Sequence, residues 1–293
     1  MALFDGEKLS YFTTQNGLSG NQIRDIQEYK NGSIWFGTDH GVSSYDGKQI
    51  NNHDLINDIK GLGPSLPNIM SNNLVDDLWF NAGNKKGVYR LSDNKLSYLA
   101  FPYQTYDENS DDYVISGKIK SRNGHIWIPT FFSVLGYDGI NFTILNDNSI
   151  TQTHSKNKLH IRSLLEDSKG NLWVGNNGIG VILKSNGKII NFSAEKGLIH
   201  AKSKGSGGSS PAGTLEHVFA IEEDSKGNIW FGDRDTGVWK YDGINLINFT
   251  TKNGLTHNFA QTIYTDNNGG LWLGLADGSV YLYNGESFEI KFE

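Results

Sequence analysis

Residues 226–233 read KGNIWFGD, and five other stretches of the chain follow the same pattern. They read NGSIWFGT at 31–38, VDDLWFNA at 75–82, NGHIWIPT at 123–130, KGNLWVGN at 169–176 and NGGLWLGL at 268–275. Successive tryptophans in these stretches are 44, 48, 46, 57 and 42 residues apart: Trp35, Trp79, Trp127, Trp173, Trp230 and Trp272. A repeat of about 40–50 residues built from short apolar runs and glycine-rich turns is typical of a propeller blade.

The fifth repeat, residues 217–255, is the clearest single unit. It contains four short runs suited to strands, at 217–222, 228–232, 237–241 and 245–249. The first two are separated by Asp224-Ser225-Lys226-Gly227, and the last two by Asp242-Gly243. Glycine accepts the positive φ that such hairpin turns need. Four antiparallel strands in sequence order make one blade.

The sequence therefore predicts an all-β protein, a six-bladed β-propeller of four-stranded antiparallel blades that spans 1–293 as a single domain. The repeated tryptophans are expected to pack between neighbouring blades. One strand is surplus, since the chain both opens and closes on an outer-strand pattern. We expect Leu9–Thr13 and Ser287–Phe292 to meet in one blade and close the ring. A segment cut from a longer repeat array is the alternative.

Composition and motifs exclude several functional classes. The chain has 293 residues, a net charge of -6 and no cysteine, and no run of lysine and arginine indicates nucleic-acid binding. No apolar stretch approaches the ~20 residues of a membrane span, so we expect no membrane insertion by this chain. The opening MALFDGEKLS does not read as a signal peptide. Neither a zinc-type histidine pattern, a GxSxG elbow nor a Walker loop is present.

The stretch GLSGNQIRDIQEYKNGSIWFGTDHGVSSYDGKQI, residues 17–50, resembles the two-component-regulator propeller repeat. The resemblance is carried by Gly17, Leu18, Asn21, Gly32, Trp35, Gly37, Thr38, Gly41, Tyr45, Asp46 and Gly47. It is strong in repeats one, four, five and six and weaker in two and three, and streptogramin-lyase-like propellers are distantly similar. The resemblance implies an extracytoplasmic sensor portion, periplasmic or at the cell surface, of which many respond to glycan fragments. It also implies a signalling module that this chain does not contain.

The loops between the second and third strands differ most from repeat to repeat, and in a propeller they gather on one face. Their amide, carboxylate and guanidinium groups can share hydrogen bonds with hydroxyls, and their aromatic rings can stack on a sugar. An ordinary polar loop face is the alternative. The predicted ligand-binding residues are Asp39, His40, Asn84, Lys85, Phe131, Phe132, Asn176, Asn177, Asp233, Arg234, Asp235 and Asp277.

Cofactors are not predicted, but a calcium or magnesium ion in the channel stays open as an alternative, with Asn84, Asn176 and Asp233 as candidate ligands. The DSKGN-type turns at 167–171 and 224–228 lack the spacing of an EF-hand and are interpreted as turn chemistry. Two connecting loops are long. The stretch 102–113 is acidic, whereas 199–216 is rich in glycine and serine and predicts a mobile loop, with a lid carrying Lys202 and Lys204 as the alternative.

These observations favour a ligand-recognition propeller that binds a carbohydrate-like or other polar small molecule at the channel mouth. No catalytic residue is assigned, and an enzyme is the less favoured reading. A metal-dependent lyase or hydrolase on the same scaffold is the main alternative, and a protein-interaction platform is a further one.

Overall fold

The computed structural model describes residues 1–4, 7–53, 57–59, 77–82, 86–93, 95–101, 125–139, 141–150, 159–203 and 205–292. It divides into two compact units. The first comprises Met1–Thr130 and Val134–Ile144, and the second comprises Phe131–Ser133 and Leu145–Glu293. The expectation of one domain over 1–293 stays a prediction.

The first unit contains a short hairpin followed by three sheets. Its strands are β1 Ala2–Phe4, β2 Leu9–Tyr11, β3 Ile23–Glu28, β4 Ile34–Thr38, β5 Gly41–Tyr45, β6 Ile50–His53, β7 Asn57–Ile59, β8 Leu78–Asn81, β9 Gly87–Ser92, β10 Lys95–Ala100, β11 Ile126–Pro129, β12 Val134–Tyr137 and β13 Phe142–Leu145. A 3-10 turn spans Thr14–Asn16. The sheet orders are β1-β2, β3-β4-β5-β6, β7-β10-β9-β8 and β11-β12-β13. Strand β7 is parallel to β10, whereas β1–β2, β3–β4, β4–β5, β5–β6, β8–β9, β9–β10 and β11–β12 are antiparallel pairs.

The second unit contains three complete four-stranded antiparallel sheets, in the orders β14-β15-β16-β17, β18-β19-β20-β21 and β22-β23-β24-β25. Its strands are β14 Ile161–Glu166, β15 Leu172–Asn176, β16 Val181–Ser185, β17 Lys188–Asn191, β18 Val218–Glu223, β19 Ile229–Asp233, β20 Gly237–Tyr241, β21 Leu246–Phe249, β22 Ala260–Thr265, β23 Leu271–Leu275, β24 Val280–Tyr283 and β25 Phe288–Phe292. The helical segments are α1 Asp147–Ile150, α2 Phe192–Glu195 and 3-10 turns at Gly205–Gly207 and Thr251–Asn253.

Six sheets in chain order, one for each repeated tryptophan, confirm the six-bladed β-propeller. Strand β2 pairs with β1, and β25 completes the sheet of β22–β24 as its outer strand. Closure of the ring by Leu9–Thr13 and Ser287–Phe292 stays a prediction.

Four of the six repeated tryptophans lie in the core between successive sheets. Trp35 is buried in a cluster with Leu78 and Phe80 of the next sheet. Trp230, completely buried, lies in one cluster with Leu271 and Leu273 of the sheet that follows it. The same arrangement holds for Trp79 and Trp173. Packing between neighbouring blades, as predicted, is confirmed at these four positions.

The turn between the first and second strands anchors the tryptophan through an aspartate. Trp230 Nε1 donates to Asp224 Oδ2 at 2.8 Å, and the backbone N–H groups of Lys226 and Asn228 donate to Asp224 Oδ1 at 2.9 Å each. In the same way, Trp173 Nε1 donates to Asp167 Oδ2, and Trp272 Nε1 donates to Asp266 Oδ2. These carboxylates are occupied by donors of their own turn, which is the predicted turn chemistry.

Candidate functional site on the second unit

A β-bulge recurs at the start of the inner strand in four blades. In β3, β14, β18 and β22, the pairing with the second strand of the blade shifts at the same place. The two paired residues on either side of the shift are two apart in the inner strand, so one residue is skipped. The residues that the shift skips are Arg24, Arg162, Phe219 and Gln261. A bulge re-aims the side chain of the extra residue. These side chains lie at the end of the blade that also carries the loop between its second and third strands.

Three rings form a group on this face of the second unit. Phe131 and Phe132, from the predicted loop, have centroids 6.1 Å apart, and His160, just before β14, lies 5.4 Å from Phe131 and 6.4 Å from Phe132. Phe132 is 43% exposed, whereas the other two are half-buried. The group therefore presents an aromatic surface to solvent.

Arg162 contacts this group from its bulged position. Its Cζ lies 5.2 Å from the ring centroid of Phe131 and 5.2 Å from that of Phe219, and its Nη2 donates to His160 Nε2 at 2.9 Å. Phe219 in turn packs edge-on against Phe259, with centroids 5.1 Å apart. Two aromatic contacts and one hydrogen bond hold a half-buried guanidinium in place.

Asn177 joins the two histidines that precede successive inner strands. Its carboxamide lies 3.4 Å from His160 Nδ1 and 2.7 Å from His217 Nδ1. Burial lowers the pKa of both histidines below the ordinary 6.5, and the nearby Arg162 and Arg234 lower it further. Because arginine only donates, His160 Nε2 accepts, which requires a neutral ring. Both imidazoles are therefore neutral at pH 7.

Arg234 and Asp235 form an ion pair within one loop. Arg234 Nε donates to Asp235 Oδ1 at 3.0 Å, and its Nη2 donates to Oδ2 at 2.8 Å. Arg234 also donates to the carbonyl oxygen of Gly208, and Ser210 N donates to Asp235 Oδ2 at 2.9 Å. The pair is thus neutralised internally and attached to the long glycine- and serine-rich loop.

Glu216 anchors the same loop from its other side. This carboxylate is 2% exposed and accepts from His200 N at 2.5 Å, Ser203 Oγ at 3.2 Å and Ser210 Oγ at 2.8 Å. Predicted as a mobile loop, 199–216 is instead fastened by hydrogen bonds to Glu216, Arg234 and Asp235. Lys204, named in the lid alternative, lies outside the described residues.

Asn176 and Asp233, two of the predicted ligand residues, are completely buried beneath the face. Asn176 Oδ1 accepts from His160 N at 3.3 Å. Asp233 accepts from the backbone N–H groups of Glu216, His217, Asp235 and Thr236 at 2.8–3.1 Å. Burial raises the pKa of Asp233 to about 6, because it outweighs these hydrogen bonds, which act to lower the pKa. Both side chains fix the loops from inside.

The remaining predicted residues lie apart from this group. Asp39 and His40 are in the first unit, with His40 Nδ1 3.0 Å from Asp39 Oδ1, and the hydrogen bond from His40 lowers the pKa of Asp39. Asp277 is exposed, and its Oδ1 accepts from Ser279 N at 3.1 Å. Asn84 and Lys85, and the acidic loop 102–113, lie outside the described residues.

Sequence reasoning missed His160, Arg162, His217, Phe219 and Phe259. A signal was available, because the skipped position changes from Arg to Phe to Gln while an apolar residue stands before it in every copy. Within the described part of the chain, no group of three or more histidine, aspartate or glutamate side chains could hold a metal ion. None of the helices in the same part of the chain has the length and apolar character to cross a membrane.

The sequence model of the two component regulator propeller matches residues 17–40, 155–178, 213–235 and 254–277. These four segments are similar to the two component regulator propeller repeat. These segments belong to repeats one, four, five and six, where the resemblance is predicted to be strong. In each case the segment ends at or next to the loop that follows the second strand. No functionally curated protein matches the chain.

Solved structures with the same fold cover almost the whole chain. Virginiamycin B lyase from Staphylococcus aureus is 15% identical over 92% of this chain and 83% of its own, with a TM-score of 0.63. PorZ, a surface component of the type-IX secretion system of Porphyromonas gingivalis, is 19% identical over 96% of this chain and 42% of its own, at 0.60. The extracellular domain of a protein described as a hybrid two component system from B. thetaiotaomicron is 19% identical over 90% of this chain and 38% of its own, at 0.50. At these identities the likeness shows the fold alone.

Proposed function

We propose that this chain is the ligand-recognition part of an extracytoplasmic sensor and binds a carbohydrate-like or similarly polar small molecule. The observation that carries the proposal is the ring group of Phe131, Phe132 and His160, with its exposed Phe132 face beside the polar groups of Asn177 and Arg162. Sugars are bound by this combination, since an aromatic face covers the ring C–H groups and amide or guanidinium groups bond the hydroxyls.

The repeat family supports the sensor role and the location. A protein with the same fold from B. thetaiotaomicron is described as an extracellular domain of a hybrid two component system. A location in the periplasm or at the cell surface follows for this chain as part of the proposal. A signalling module stays a predicted partner.

The proposal gives the residues of the second unit different roles. Phe132, exposed on the ring group, stacks on the ligand, and Asn177 offers hydrogen bonds. Asn176 and Asp233 position the loops, because their side chains are buried and bonded to backbone N–H groups. Asp39, His40, Asn84, Lys85 and Asp277 stay predicted ligand contacts.

Equilibrium binding to a library of soluble oligosaccharides, with and without chelator, tests the proposal. We expect binding that chelator does not change and no turnover of the sugar. Phe132→Ala should weaken it about tenfold, the effect of losing one stacking contact of roughly 1.4 kcal/mol. Tyr11→Ala, which removes a 70% exposed ring from the N-terminal hairpin, is the control and should leave affinity unchanged.

The other outcomes separate the alternatives. Metal-dependent formation of a product would contradict the proposal in favour of a lyase or hydrolase. Binding of neither sugar nor metal would contradict it in favour of a protein-interaction platform. Equal affinities of Phe132→Ala and the wild type for an identified sugar would show that the ligand occupies another face.

A further inference from the structure

Phe259 occupies a repeated position at the candidate-site end of its blade. It stands directly before the inner strand β22, and its carbonyl oxygen accepts from Ala276 N, just after the second strand, at 3.0 Å. His160 has the same place before β14, where its carbonyl oxygen accepts from Asn177 N at 2.8 Å. The repeat therefore places Phe259 in the blade of β22–β25 where His160, a member of the ring group, stands in the blade of β14–β17.

A chain of contacts within the second unit joins Phe259 to the ring group. Phe219 packs edge-on against Phe259, with centroids 5.1 Å apart. Arg162 contacts both Phe219 and Phe131, with its Cζ 5.2 Å from each ring centroid. The centroid of Phe131 lies 6.1 Å from that of Phe132. Phe132 and Phe259 are thus the two ends of one chain of contacts, with three side chains between them.

The contact with Phe219 leaves Phe259 a ring face. In an edge-on pair the edge of one ring meets the face of the other, and the interplanar angle here is 76°. Whichever ring supplies the edge, Phe219 covers at most one face of Phe259. Phe259 is half-buried, so part of this residue reaches solvent.

Polar groups accompany this ring, as they do at Phe132. Gln261, the residue that the register shift of β22 skips, is exposed. Asp277, one of the predicted ligand residues, follows Ala276 in the loop after the second strand and is also exposed. Amide and carboxylate groups form hydrogen bonds with hydroxyls. The blade of β22–β25 therefore offers a second combination of an aromatic ring and hydrogen-bonding groups.

We propose that the ligand is an oligosaccharide and that Phe259 stacks on a second sugar unit, beyond the unit that lies on Phe132. This inference rests on the proposed function, and it assigns Phe259 as the residue that determines specificity for chain length. A sugar ring that covers Phe132 leaves Phe259 uncovered, because the two rings are separated by three side chains. A chain that reaches both rings gains a second stacking contact without a second loss of translational freedom.

The experiment is calorimetric titration of the full chain with sugars that differ only in length. The probes are the cello-, malto- and xylo-oligosaccharides and the oligomers of any sugar that the wider library identifies, each series running from the monosaccharide to the hexasaccharide. In a series that binds, we expect affinity to rise about tenfold with length, the effect of one further stacking contact.

Phe259→Leu keeps an apolar side chain against Phe219 without an aromatic face. It should abolish the rise with length and leave the affinity for the monosaccharide at the wild-type value. Phe259→Tyr keeps the ring and should retain the rise.

Phe12→Leu is the matched control. Phe12 is likewise half-buried and packs against another ring, that of Tyr45, with centroids 5.6 Å apart, but it lies in the first unit. This variant should bind every sugar as the wild type does. Unfolding midpoints of all variants establish that the fold is intact.

Two results would overturn the inference while the proposed function stands. One is a monosaccharide that binds the wild type as tightly as its oligomers do, and the other is a rise with length that survives in folded Phe259→Leu. Failure of every series, together with failure of the wider library, would instead contradict the proposed function and this inference with it.

Discussion

Asp224 shows how one side chain fixes a repeated turn. It accepts two backbone N–H groups, the amide of Asn228 and the indole N–H of the completely buried Trp230. Burial works to raise the pKa of Asp224, but the hydrogen bonds from Asn228, Trp230 and the turn prevail, so its pKa lies below the ordinary value. A lowered pKa stabilises the fold above about pH 4, and this contribution is lost as pH falls through the folded pKa.

We expect Asp224→Ala to reduce the free energy of unfolding by about 2 kcal/mol, because it leaves the Trp230 N–H buried without an acceptor. Asp242→Ala is the matched control. Asp242 also accepts two backbone N–H groups and an asparagine amide, but no tryptophan, and it is exposed. Urea denaturation measures the free energy of unfolding of both variants. An equal loss of stability in both would contradict a stabilising role for the hydrogen bond from the Trp230 indole.

His217 contributes to the response of the second unit to mild acid, as does His160, whose pKa is also lowered. The pKa of His217 is lowered in the folded protein, so the unfolded chain takes up a proton first as pH falls through about 6.5. This group therefore makes the fold less stable on the acid side. Asp233, with a pKa raised to about 6, works in the opposite direction, because the folded state takes up its proton first.

We expect His217→Asn to remove the acid-dependent loss that belongs to the imidazole. Between about pH 7.5 and about pH 5.5, the free energy of unfolding should fall less, or rise more, in the variant than in the wild type. His125→Asn, at an exposed position, is the control and should keep the wild-type slope. Identical slopes in all three proteins would show that His217 is not the titrating group.

At the scale of elements, the loop 199–216 is held in place by hydrogen bonds to buried or half-buried side chains. Its composition predicts mobility, since glycine and serine have little tendency to order by themselves. The ordering comes from hydrogen bonds to the buried carboxylate of Glu216, the last residue of the segment, and to the ion pair of Arg234 and Asp235. Long-range bonds of this kind leave no periodic trace in the sequence.

We expect Glu216→Ala to make the loop 199–216 more mobile. Amide hydrogen exchange across 199–213 should accelerate at least about tenfold, because three hydrogen bonds to the carboxylate are lost. Glu195→Ala, in an exposed turn of α2, should leave exchange in this loop unchanged. Unaltered protection in Glu216→Ala would mean that the Asp235 and Arg234 bonds are sufficient.

The inner strands show the limit of reading the site from sequence. The second-to-third strand loops were identifiable because they interrupt a regular pattern, and they contributed Phe131, Phe132 and Asn177. Arg162 and Phe219 lie inside what reads as an ordinary strand. Only the register shift of β14 and β18 turns them toward the same face. A bulge is a property of strand pairing, so one strand read alone does not reveal it.

At the scale of the whole molecule, the repeat predicts the architecture because the same strand and turn pattern occurs in every copy. Six tryptophans with similar flanks give six sheets, and Trp35, Trp79, Trp173 and Trp230 pack between successive ones. Closure of the ring occurs once in the chain, so no second copy supports that prediction. The repeat does not predict the ligand either, since binding depends on residues that the repeats do not share.

A structure of the complex with a bound oligosaccharide tests the central claim most directly. We expect the sugar ring to lie on Phe132, with its hydroxyls within hydrogen-bond distance of Asn177. A sugar bound instead at the opposite end of the blades, against the turns of Asp167, Asp224 and Asp266, would contradict the account.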